Sequence, residues 1–132
     1  MVLDPTTRER QTPTLSFDEF WSWLCTHPNC ILRAGTPDTA IYDDDDLHWH
    51  FDSEGAEIRV VQLIRGKRLM SELILQTENV AYIQGYEGDH DGEFIFELIS
   101  ENERDRFAAY FFVLSHGFED PSASGGPGRA VH

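Results

Sequence analysis

Two short stretches gather the side chains that could do chemistry. The first, Tyr42 to Phe51, reads YDDDDLHWHF: Asp43, Asp44, Asp45 and Asp46 run into His48 and His50, with one tryptophan between the histidines. Alternate side chains of a β-strand share a face, so His48 and His50 would stand about 7 Å apart at Cα and offer two imidazoles to one divalent metal. A transition metal needs a third or fourth ligand, which His90, Glu93 or one of the four aspartates would have to supply. Leu47, Trp49 and Phe51 then turn to the core. Without a metal, the two histidines are the solvent side of an amphipathic strand, or a pH-dependent contact whose protonation relieves the crowding of nearby carboxylates.

The second stretch is EGDHDGE, Glu87 to Glu93. Glu87, Asp89, Asp91 and Gly92 match the first, third, fifth and sixth positions of a calcium-binding loop. The match stops there, because the twelfth position, which needs a bidentate glutamate, is Leu98 and the residues before Glu87 alternate like a strand. A hairpin turn with Asp91 and Gly92 at its tip accounts for the same residues.

Both stretches belong to a charge imbalance that is local. Ten Lys and Arg against 24 Asp and Glu give a formal charge of −14. Asp38 to Glu54 holds seven acids and no base, Glu87 to Asp105 holds eight acids and Arg104, and the remainder is neutral. If the fold brings the two segments together, Asp43, Asp44, Asp45, Asp46, Glu87, Asp89, Asp91 and Glu93 form a focused negative field for a basic protein partner. The same field opposes nucleic acid and anionic lipid, whose binding draws on Lys and Arg. Arg65, Lys67 and Arg68 form the one basic cluster, a contact through which a second copy could engage the acidic segments as a homodimer.

Enzyme signatures are missing from the sequence. There is no G-x-S-x-G and no glycine-rich phosphate loop, and with carboxylates this abundant, some pair falls at a glycosidase-like spacing by chance. No catalytic residue is singled out and no cofactor is expected, a divalent metal on His48, His50 and His90 being the alternative. Cys25 and Cys30, spaced C-x4-C, fit neither a zinc nor a redox motif and read as reduced thiols near the core or a helix end. A polar N-terminus and the lack of a long apolar run lead to the expectation of a cytoplasmic chain without a membrane segment.

The elements that must position these residues follow from hydrophobic period and punctuation. Ser16 and Glu19 form a capping box, and Phe17, Phe20, Trp21 and Leu24 fall on one face of a helix that ends before Pro28. Period-two alternation predicts strands near Cys30–Ala34, Thr39–Tyr42, Leu47–Phe51, Glu57–Ile64, Arg68–Gln76, Asn79–Gln84 and Glu93–Ile99. The central hairpin, turning at Gly66 and Lys67, has apolar residues on both faces and is expected to be covered on both sides. Ser100 with Glu103 reads as a second capping box, followed by a helix with Phe107, Phe111 and Leu114 on one face and Gly117 as its C-cap. Glu101, Glu103 and Asp105 would then lie at the positive end of its dipole.

The expected fold class is α+β: an N-terminal helix, an antiparallel β-meander of six or seven strands, and a C-terminal helix packed on one sheet face. One domain spans 15–118, between disordered tails at 1–14 and 119–132. That architecture resembles, in outline, type III secretion chaperones and many bacterial immunity proteins. The expected function is a small acidic, non-enzymatic interaction module, chaperone-, immunity- or adaptor-like. The alternatives are a metal-binding protein built on the H-x-H strand and a small-ligand-binding α+β domain.

Overall fold

The structure, a computed structural model, describes residues 14–118. Apart from Thr14, which pairs with Gln84, the expected tails lie outside the described residues.

After a two-residue strand β1 (Thr14–Leu15), the capping box of Ser16 and Glu19 starts α1 (Phe17–Leu24). The Glu19 amide donates to the Ser16 hydroxyl at 3.1 Å, and the Ser16 amide donates to the Glu19 carboxylate at 2.9 Å. Two amides that the first turn leaves unpaired are thus satisfied. Phe20, Trp23 and Leu24 are buried, while Phe17 and Trp21 are half-buried and stacked with centroids 5.9 Å apart. Trp23, which the expected face omitted, belongs to the core.

Everything else that is regular is strand or a short 3-10 turn. In chain order come β2 (Ile31–Thr36), β3 (Thr39–Tyr42), β4 (His48–Glu54), β5 (Ile58–Arg65), β6 (Arg68–Gln76), β7 (Tyr82–Glu87), β8 (Phe94–Glu101) and β9 (Arg106–Leu114). They form not one meander but two antiparallel sheets: six strands ordered β1-β7-β8-β9-β2-β3, and three ordered β4-β5-β6. Phe96 and Phe112 of the larger sheet lie 5.1 and 5.6 Å from Phe20. On the smaller sheet, Phe51 meets Trp21 edge-on at 5.6 Å. The helix therefore touches both sheets, and one continuous core runs between them.

The α+β expectation fails at its C-terminal helix. The range Arg106–Leu114 is β9, a central strand between β8 and β2. Asn102, not Ser100, organises the preceding turn: its side-chain carbonyl accepts from the amides of Arg104 and Asp105, both at 2.8 Å, and its own amide donates to the Asp105 carbonyl. Ser100 sits inside β8, paired with Phe107. Phe107, Phe111 and Leu114 do have helical spacing, but Tyr110, Phe112 and Val113 between them are also apolar and all buried. A run apolar on every side, and rich in aromatic residues, suits a strand covered on both faces. Glu101, Glu103 and Asp105 face no helix dipole; they lie at the β8–β9 turn.

The central hairpin turns at Gly66 and Lys67, with Arg65 opposite Arg68. Its coverage differs from expectation, because β6 is an edge strand whose Leu69, Met70 and Ile74 are 53%, 40% and 50% exposed.

Candidate functional site: the acidic end of the six-stranded sheet

Cross-strand register fixes which loops meet. Glu87 pairs with Phe94, Phe94 with Leu114, and Leu114 with Ile31. On the other side of β2, Arg33 pairs with Tyr42, and the Asp43 amide donates to the Leu32 carbonyl at 3.0 Å. Hence the β7–β8 turn, the end of β9, the 3-10 turn Pro28–Cys30 and the start of the β3–β4 loop share one end of the sheet. Asp43, Asp44, Asp45 and Asp46 are carried there by β3 and are all exposed. The loop is shaped by its own polar groups: the Asp45 amide donates to the Asp44 carboxylate at 2.7 Å, and the Leu47 amide to the Asp44 carbonyl at 3.0 Å.

The β7–β8 turn is closed by backbone bonds from the Gly88 amide to the Glu93 carbonyl at 2.9 Å and from the Glu93 amide to the His90 carbonyl at 3.2 Å. Gly92 takes φ 80°, a left-handed conformation that costs glycine nothing. Glu87, Gly88, His90, Asp91, Gly92, Glu93, Phe94, Ser115 and His116 enclose a hollow of roughly 250 Å³. The geometry is that of a hairpin tip, and among the described residues no three or more His, Cys, Asp or Glu side chains are grouped to hold a metal.

Arg33 grips Glu93 through both of its terminal nitrogens, at 3.2 and 3.3 Å, and this is the one ion pair among the described residues. The hydrogen bonds from Arg33, aided by the charges of Arg33 and His90, hold the Glu93 carboxyl below its ordinary 4.5. A carboxylate with a lowered folded value stabilises above its ordinary value, and that contribution is lost as pH falls through the lower folded value. The turn should therefore loosen as the medium is acidified below 4.5. The protection of the Gly88 and Glu93 amides, taken as NMR exchange relative to the intrinsic rate at each pH, is expected to fall there, and Arg33→Gln should remove that pH step. Nearby, the Tyr86 hydroxyl donates to Glu97 at 2.7 Å; burial, this bond and the Glu97 charge push the phenol well above its usual range.

Several residues read from the sequence lie elsewhere. His48 and His50 are exposed on β4, opposite Ile64 and Gln62 in the smaller sheet, whereas His90 belongs to the β7–β8 turn of the larger one. Glu101, Glu103 and Asp105 are at the opposite end of β8, where Glu101 faces Arg106 across the hairpin. The pairing of His48 with Ile64 and of Arg65 with Arg68 sets the basic tip Arg65, Lys67 and Arg68 at the same end of the smaller sheet as Leu47, beside the acidic loop.

One pair of functional type had no sequence signal. The His116 Nε2 atom lies 3.1 Å from the Cys30 sulfur, bringing together residues 86 positions apart because β9 ends beside the start of β2.

Comparison with protein-family models, with curated proteins and with solved structures gives no match for this chain.

Proposed function

We propose that the chain is an interaction module that captures a basic protein surface on the acidic end of its six-stranded sheet. The supporting observation is the register that gathers Asp43–Asp46 with Glu87 and Asp91 at one end, where Arg33 is matched to Glu93. Carboxylates collected in this way raise the local concentration of a cationic partner and steer its approach. Phosphate-rich partners are repelled by the same field, so neither nucleic acid nor an anionic membrane is the target. No helix among the described residues is long and apolar enough to cross a membrane. Two free thiols, Cys25 and Cys30, accord with a reducing cytoplasmic setting.

The test compares the two ends of the sheet. A partner captured by the native chain at low salt should be lost when Asp43, Asp44, Asp45 and Asp46 are all replaced by Asn, and retained when Glu101→Gln, Glu103→Gln and Asp105→Asn are combined. Equal capture by both variants would remove the proposal.

The place of Arg65, Lys67 and Arg68 beside the acidic loop favours a second reading, in which the basic surface belongs to another copy and a two-fold axis pairs each tip with the opposite loop. Sedimentation at low and high salt decides it, since a salt-labile dimer is expected and a monomer throughout would exclude it.

A further inference from the structure

Cys30 carries an arrangement that the acidic-end reading does not use. The His116 Nδ1 atom is 2.9 Å from the Gly117 carbonyl, which can only accept, so Nδ1 holds the proton. The lone pair of Nε2 is then directed at the Cys30 thiol, 3.1 Å away. The Gly117 backbone lies against the Phe94 ring, and Trp23 and His27 pack on the imidazole at 5.7 and 5.3 Å, which holds the ring in this orientation. A nucleophile in contact with a base that a third group orients is the general signature of an activated thiol. Cys30 is half-buried and therefore reachable, and His116 forms part of the wall of the hollow that Glu87, Asp91 and Glu93 line.

We propose that Cys30 is a modification site that forms a mixed disulfide with a small cationic, amine-bearing disulfide, with His116 as its base. The Cys30 proton passes to His116 Nε2, and the thiolate attacks one sulfur of the incoming disulfide. A Cys30–sulfur bond forms as the incoming S–S bond breaks. The departing thiolate takes the proton back from His116 and leaves as a thiol, so no further oxidant or reductant is needed. The hollow's carboxylates select cationic over anionic disulfides. Cys25, half-buried at the helix C-terminus, has its thiol pushed up by burial and serves as the internal control.

The test treats the full chain with cystamine, or with oxidised glutathione, at neutral pH and low salt, and follows each cysteine by peptide mass spectrometry. Cystamine should modify Cys30 at least tenfold faster than Cys25 and at least tenfold faster than oxidised glutathione does. His116→Gln should slow the Cys30 reaction tenfold or more; it removes no carboxylate, so its result is independent of partner capture. Equal rates at the two cysteines, equal rates for the two disulfides, or an unchanged rate in His116→Gln would each overturn the proposal. Should His116→Gln fail to fold, His116→Asn takes its place, with the same tenfold slowing expected and an unchanged rate overturning the proposal.

Discussion

Gly35→Ala should cost roughly 3 kcal/mol or more of unfolding free energy, the range reached when a side chain is forced into occupied space. Gly35 pairs with Ala40 across the β2–β3 hairpin, and a Cβ at this position would fall on the Thr39 carbonyl oxygen and lie 2.8 Å from the Ala40 Cα. Both obstacles are backbone, so no side-chain rotation relieves them. Separation of β3 from β2 is the expected response. Since β3 delivers Asp43 to the acidic end, the variant should also lose order in the Asp43–Asp46 loop. Urea titration measures the first effect and NMR of the loop amides the second; stability within 1 kcal/mol of the native chain would show that the hairpin accommodates the methyl group.

Phe20→Ala should be comparably severe, with a loss of about 3–5 kcal/mol as expected for a buried phenylalanine whose removal leaves a cavity. Phe20 is fully buried against Phe96, Phe112 and Trp23, at 5.1, 5.6 and 6.2 Å between ring centroids. Together with Trp23, which also meets Phe96 at 5.3 Å, it fastens an eight-residue helix to the larger sheet, and a helix that short has little stability of its own. A lower urea midpoint with an unchanged slope is the predicted signature. A loss under 1 kcal/mol would mean that the helix is held elsewhere.

These two positions also mark what a sequence can and cannot disclose. The Ser16 capping box announces α1 because its chemistry is confined to four consecutive residues. Alternation likewise points to Thr39–Tyr42 and Arg68–Gln76, where the observed strands carry those same bounds. The sequence points to a C-terminal helix because S-x-x-E is ambiguous: Ser100 and Glu103 have the spacing of a cap, yet Asn102 closes a hairpin over the same residues. Long-range pairing within the larger sheet was illegible for a different reason. The neighbours β1–β7 and β2–β9 are far apart in sequence, and nothing in a strand's own pattern names a distant partner.

The same limit governs the site. The two acidic segments are visible as composition, but only the chain of pairings from Glu87 through Phe94 and Leu114 to Ile31 places the β7–β8 turn with the Asp43–Asp46 loop. It also divides the second segment, sending Glu101, Glu103 and Asp105 to the far end. No local pattern marks Gly35, whose need for glycine arises from the backbone that crosses it. Cys30 and His116 were illegible as a pair, because their contact is made by the β2–β9 ladder and by no local motif.

Stopped-flow association of the native chain with its captured partner, measured at about 0.02 M and at about 0.2 M salt, tests whether the gathered carboxylates do the capturing. Screening over this range shortens the reach of exposed charges from roughly 20 Å to less than about 10 Å. The association rate should fall about tenfold or more for the native chain, and much less for the chain with Asn at 43, 44, 45 and 46. A native rate indifferent to salt, or the same steep salt dependence in both chains, would contradict capture by the acidic end.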